Sequence, residues 1–148
     1  VNKNENKNEN KNENENENEN NDESIVDIRK TVIIVDDGEL NIMILKLKLE
    51  SIGANVITFE NIEQMLESDQ ELSIVDLFIF DQHLGSGYMN GTSGIEIMKN
   101  KLCNPVIYIA SGNCTESDNK MYIEKGAYGC IPKPYPDDLT YLINHFDK

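Results

Sequence analysis

Three stretches of this chain are apolar without a break: TVIIV at 31–35, LFIF at 77–80 and PVIYIA at 105–110. A strand with one face in water alternates polar with apolar residues, so unbroken runs rich in β-branched and aromatic residues mark strands covered on both sides. Each run is followed by a segment of helical periodicity. In ELNIMILKLKLESIG, Ile42, Leu45, Leu49 and Ile52 recur at three and four, Leu40, Ile44 and Leu47 widen the stripe, and Gly53 closes the helix. ANVITF (54–59) is a further short strand, and Asn61 caps a helix that buries Ile62, Met65 and Leu66. The strand VDLFIFD (75–81) leads through the loop QHLGSGYMNGTSG (82–94) into a helix carrying Ile95, Met98 and Leu102. After the strand at 105–111, a helix runs from near Thr115 to Gly126, and YGCI (128–131) is the last strand. A final helix starts at Pro136 and turns Leu139, Leu142, Ile143 and Phe146 inward. Five βα units in succession predict an α/β three-layer sandwich around a five-stranded, mostly parallel sheet.

The 148 residues suit one domain, and the first part of the chain does not belong to it. Residues 1–28 open as a low-complexity repeat of Asn with Glu or Lys, too poor in apolar residues to offset the entropy of ordering. They read as a disordered leader, and residues 29–148 as the domain. The formal net charge is −14, with only three Lys against eight acidic residues in the first 23 positions, so the domain is acidic in its own right. That excludes a nucleic-acid surface. Cys103, Cys114 and Cys130 form no CxxC pair and have no neighbouring His, which predicts reduced thiols rather than a disulfide or a zinc site. With no apolar stretch of membrane-spanning length and no signal peptide, the expected location is cytoplasmic.

In a parallel sheet, ligands bind at the carboxyl ends of the strands. The residues that fall there are Asp36 and Asp37, Asp81, Ser111 and Lys133. Two adjacent carboxylates at the tip of a buried strand repel each other and resist desolvation, so a cation is the natural companion. Alone they could serve as a helix N-terminal cap; with Asp81 and Lys133 on the same rim, a metal is favoured. Oxygen donors without His or Cys suit Mg²⁺, which shares its remaining positions with water and phosphate. A lysine beside such an ion makes sense when a phosphoryl group arrives between them, and a carboxylate can take that group as an acyl phosphate.

The segments VIIVDD, DLFIFD, IYIASG and GAYGCIPKPY, in this order and each on its strand end, resemble the receiver domain of two-component response regulators. That resemblance covers about Thr31 to Lys148. It implies the flavodoxin-like strand order 2-1-3-4-5, a phosphoacceptor at Asp81, and a Mg²⁺ site made by Asp36, Asp37, Asp81 and the backbone carbonyl of His83. It further implies that Ser111 bonds the phosphoryl oxygen and that Lys133, before a cis proline, pairs with the phosphoryl group. The implied donor is a histidine kinase or a histidine phosphotransfer protein, the chain's own chemistry being limited to phosphotransfer and slow dephosphorylation. The readout is an unknown effector met through the face of the fourth helix, fifth strand and fifth helix. Asn41 in VDDxxxN resembles receivers of hybrid sensor kinases, and with the sequence stopping after the last helix, no output module is expected.

The chain departs from the family pattern in three places. The loop after Asp81 is about five residues longer if Gly94 matches the family glycine, with a compensating deletion between Lys99 and Pro105. Counting from Pro105 puts Ala110 at the hydroxyl position, whereas counting back from Lys133 puts Ser111 there. The aromatic that changes rotamer on activation is replaced by Cys130, with Tyr128 nearby but off register. These departures keep a second reading in view, a degenerate receiver that binds proteins without phosphorylation. A dehalogenase-type phosphate hydrolase wants an Asp two positions after Asp81, where His83 stands, and a nucleotide oxidoreductase lacks its Gly-rich turn in DDGELN. The His83 imidazole has no second His beside it to complete a metal site, and His145 reads as solvated.

Overall fold

The computed structural model describes residues 29–144. The leader, His145 and Phe146 lie outside them. Five parallel strands, β1 (Thr31–Val35), β2 (Asn55–Phe59), β3 (Leu77–Asp81), β4 (Ile107–Ser111) and β5 (Gly129–Pro132), pair in the order β2-β1-β3-β4-β5. The helices α1 (Glu39–Ser51), α2 (Ile62–Glu67), α3 (Gly91–Lys101), α4 (Glu116–Glu124) and α5 (Thr140–Asn144) connect them, and a short 3-10 turn at Leu72–Ile74 precedes β3. This is the flavodoxin-like sandwich expected from the alternating pattern.

Strand periodicity splits the core in two. Val32 and Ile34 of β1, Leu77 and Ile79 of β3, Ala110 of β4 and Ile131 of β5 pack with Leu45 and Leu49 of α1 and with Leu139 and Leu142. Ile33, Val35, Phe78, Phe80, Ile107 and Ile109 face the other way, against Ile62, Met65, Ile95, Met98 and Tyr122. Every residue from Val32 to Val35 is buried, and each such side chain contributes roughly 1.5–3 kcal/mol. The unbroken apolar runs therefore follow from burial on both faces.

Local signals set most boundaries. The Asn61 side chain accepts the Gln64 N–H at 2.7 Å and starts α2, Thr115 and Asp118 form a capping box on α4, and Gly53 ends α1 at φ +96°. Other boundaries differ from the sequence reading. The Asn90 side chain accepts the Ser93 N–H at 2.9 Å, so α3 begins at Gly91 and the expected 82–94 loop ends at residue 90. No side chain but hydrogen fits at Gly91, where a Cβ would stand 2.7 Å from the Asp81 carbonyl oxygen. The last helix begins at Thr140 rather than Pro136, because the Asp138 carboxylate takes the Thr140 N–H at 2.9 Å and caps it there. On α1 the buried stripe is narrow: Leu45 and Leu49 are buried, whereas Leu40, Met43 and Leu47 are 66%, 55% and 61% exposed. A helix laid on a flat sheet touches it along one line, so the flanks of a wide apolar stripe stay in water.

Candidate functional site

Alternation that fills the α1/α5 side of the sheet with Val32 and Ile34, Leu77 and Ile79, and Ile131 carries on past the strand ends to Asp36, Asp81 and Lys133. Because β1 pairs directly with β3, Ile34 opposite Ile79, the two aspartates come level on neighbouring strands. The Lys133 ammonium lies between them, 2.9 Å from Asp81 Oδ1 and 3.1 Å from Asp36 Oδ2. Asp36 is 1% exposed and Asp81 7%, while Asp37 is exposed. One oxygen from each of Asp36, Asp37 and Asp81 lies within 4.8 Å of the others.

The surrounding backbone fixes these groups. Asp36 Oδ1 accepts the Gly38 N–H at 2.8 Å. Gly38 itself is the residue before α1, without a side-chain cap bond, so the acidic pair does not serve as a conventional helix cap. The Lys133–Pro134 peptide is cis, as the resemblance implies. The loop over the site is pinned from behind, where Glu63 of α2 accepts the Met89 N–H at 3.0 Å.

Burial pushes the Asp81 pKa up and Asp36 adds to the rise; the Lys133 ammonium and the His83 backbone N–H oppose it without cancelling it. For Lys133, burial works downward, but its hydrogen bonds and charge attraction to Asp81 and Asp36 leave the pKa above the ordinary lysine value. Tyr135 was given no role from sequence. Its phenol pKa is raised by burial and by the nearby charges of Asp36 and Asp81. The only signal for it was its place two residues after Lys133.

Three carboxylates against one ammonium leave the cluster two negative charges in excess, which one divalent cation would balance. Hard oxygen donors within 4.8 Å of one another suit Mg²⁺ or Ca²⁺ and do not suit a soft transition metal. Adding a millimolar divalent salt is expected to raise the thermal midpoint by several degrees, about 1–3 kcal/mol at saturating ion, whereas the Asp36→Asn/Asp37→Asn double variant should not respond. An equal rise in the double variant would refute a shared ion.

The sequence also placed His83 and Ser111 at the site. His83 is exposed, and what it directs at Asp81 is its backbone N–H. Ser111 is buried at the end of β4, but the register sets Ala110 opposite Asp81, and alternation sends Ser111 to the Ile107 and Ile109 side. Its Oγ accepts the Asn113 N–H at 3.0 Å. Counting from Pro105 therefore gave the position beside Asp81.

The expectation of reduced thiols fails for two of the three cysteines. Cys114, in the loop after β4, and Cys130, on β5, form a disulfide, and Cys103 is free and exposed. The position of the family's switching aromatic is thus one end of a crosslink. Tyr128 is half-exposed, its ring 6.3 Å from that of Tyr108.

Residues 32–144 match the family model described as response regulator receiver domain. Among solved structures, a putative response regulator from Chloroflexus aurantiacus J-10-fl is 22% identical with a TM-score of 0.67, covering 79% of this chain and 96% of that chain. A CheY-like receiver domain protein from Methanospirillum hungatei JF-1 is 23% identical with a TM-score of 0.66, covering 79% of this chain and 92% of that one. A response regulator from Burkholderia pseudomallei, with a phosphorylated aspartic acid, a calcium ion and citrate, is 21% identical with a TM-score of 0.63, covering 77% of this chain but only 65% of that one. No curated protein matches the sequence. At these identities the structures show the shared fold, and the family model, matching most of the chain, supplies the membership: this protein belongs to the response regulator receiver family.

Proposed function

We propose that the domain, residues 29–148 behind the 1–28 leader, is a phosphoacceptor that takes a phosphoryl group from a phosphohistidine onto Asp81. The observation that carries this is Lys133 lodged between Asp36 and Asp81 on one face of the sheet edge. An Asp81 carboxylate oxygen attacks phosphorus as the bond to the imidazole nitrogen breaks, giving an acyl phosphate. The Lys133 ammonium, already bonded to Asp81 Oδ1, stays beside the incoming oxygens and offsets their charge. Mg²⁺ held by Asp36, Asp37, Asp81 and the His83 carbonyl would supply the remaining positive charge to the phosphoryl oxygens. The Burkholderia pseudomallei relative, with its phosphorylated aspartate and calcium ion, supports this assignment of roles. Such a domain is a signalling module rather than an enzyme turning over a substrate, and a phosphohistidine donor charged from a nucleotide fits the cytoplasm. No helix among the described residues is long and apolar enough to cross a membrane.

Incubation with acetyl phosphate and Mg²⁺ is expected to add one base-labile phosphoryl group at Asp81, read by intact mass and peptide mapping. No gain in mass, from this donor or from a phosphohistidine protein, would defeat the reading. Ser111 enters it only if the loop behind it moves, since its hydroxyl is turned away from Asp81 and engaged by Asn113. That geometry favours, as the second reading, a module whose protein contacts do not follow phosphorylation. An unchanged amide spectrum of α4, β5 and α5 after full phosphorylation would select it.

The donor's approach is marked by the exposed stripe Leu40, Met43, Ile44 and Leu47 on α1, whose first turn adjoins the acidic pair. Exposed apolar residues clustered beside a reacting group are the feature of a docking surface. Leu47→Glu should slow transfer from a phosphohistidine protein about tenfold or more while leaving uptake from acetyl phosphate unchanged. Equal slowing with both donors would mean that the substitution had damaged the site instead.

A further inference from the structure

We propose that Cys114 and Cys130 form a reversible redox site, closed by hydroperoxides and opened by dithiols, that fastens the loop after Ser111 to β5. This deepens the proposed function, on which its signalling consequence rests. The two cysteines are 16 residues apart with Cα atoms 5.9 Å apart, and each is partly exposed, so small oxidants and reductants reach them. The crosslink spans the one segment whose displacement would matter for Ser111. Asn113 donates its N–H to Ser111 Oγ at 3.0 Å, its carbonyl lies 3.9 Å from Cys130 Sγ, Cys114 is tied to Cys130, and Thr115 is locked in the capping box of α4. With Asn113, Cys114 and Thr115 held, the Ser111 hydroxyl keeps its bond to the Asn113 N–H. Opening the disulfide removes the covalent one of these ties. In a reducing compartment a disulfide that forms is usually transient and redox-sensing rather than structural, which fits a partly exposed pair joining a loop to a strand.

The chemistry balances with a peroxide as oxidant. One thiolate attacks a peroxide oxygen; the O–O bond breaks, and a sulfenic acid and hydroxide form. The second sulfur then attacks the sulfenic sulfur, the S–O bond breaks, and water leaves with the second thiol's proton. Two thiols have lost two electrons, and hydrogen peroxide has become two waters. A dithiol reverses the step by exchange through a mixed disulfide and is itself left oxidised.

The test uses the full chain, reduced with dithiothreitol or reduced and then treated with equimolar hydrogen peroxide. Maleimide labelling should find all three cysteines in the reduced form and only Cys103 in the oxidised one. Amide hydrogen exchange over residues 112–115 should be about tenfold slower in the oxidised form. Cys130→Ser should exchange at the reduced rate whatever the treatment, and the reduced parent supplies the same comparison if that variant fails to fold. Three labels after peroxide, or equal exchange in both forms, overturns the proposal. With acetyl phosphate and Mg²⁺, the reduced form should show at least a threefold larger exchange response at 111–115 to phosphorylation than the oxidised form, a response that Ser111→Ala removes. Phosphorylation with the same response in both forms overturns the signalling consequence. Absence of any phosphoryl group in both forms sinks the phosphoacceptor reading and leaves the redox site standing.

Discussion

With Asp81 replaced by asparagine, the chain should accept no phosphoryl group and yet, in a chelating buffer near neutral pH, be more stable than the parent. The substitution removes the carboxylate proposed as nucleophile while keeping shape and an acceptor for Lys133. Its stabilising sign follows from the balance at Asp81. Burial and the neighbouring Asp36 push its pKa up by more than Lys133 and the His83 N–H pull it down. A carboxyl whose pKa is higher folded than unfolded costs stability once both states are ionised, and that cost disappears as pH falls through the folded value toward the ordinary carboxylate range. The advantage of Asp81→Asn should accordingly be largest at neutral pH and vanish near pH 4, as urea midpoints at the two values will read. Saturating Mg²⁺ should reverse the order, because the ion would bind three carboxylates in the parent and two in the variant. A variant less stable than the parent at neutral pH without metal would show that the Lys133 bond outweighs burial and Asp36.

Asp36, Asp81 and Lys133 were legible because one rule places all three. Two-residue alternation along each strand fixes which side its end faces, and parallel pairing brings the ends level. The same rule decides between Ala110 and Ser111, but only once the register of β4 on β3 is known, and register is a tertiary fact. The width of the α1 stripe misled for a similar reason. Leu40 and Leu47 have the spacing of core residues, and only the line of contact between helix and sheet shows that they remain in water. Pro136 looked like a helix start, while the side chain that caps α5 is Asp138. The cysteine pair had no sequence signal at all. Cys114 sits on a loop and Cys130 on a strand, and their approach is created by β4 lying next to β5.

Lys133→Met is expected to cost about 3 kcal/mol of stability and to lower phosphoryl uptake about a hundredfold. Methionine keeps much of the stem's apolar volume, so the loss reports the charge. In the parent, the ammonium bonds both Asp81 and Asp36, and these attractions raise the Lys133 pKa against the effect of burial. A lysine with a raised folded pKa delivers its full stabilisation below the ordinary lysine value and loses it only as pH climbs through the folded one, so the parent has all of it at neutral pH. Without the ammonium, Asp36 and Asp81 face each other in a buried site with no cation between them. The Asp81 pKa should rise further, and the deficit should shrink as the pH is lowered and that carboxyl takes up a proton. Mg²⁺ should recover much of the stability, since the carboxylates that would hold it remain, but little of the uptake, since it would replace the ammonium's charge without its position at Asp81 Oδ1. Uptake restored by Mg²⁺ to the parent's level would show that Lys133 serves the fold alone.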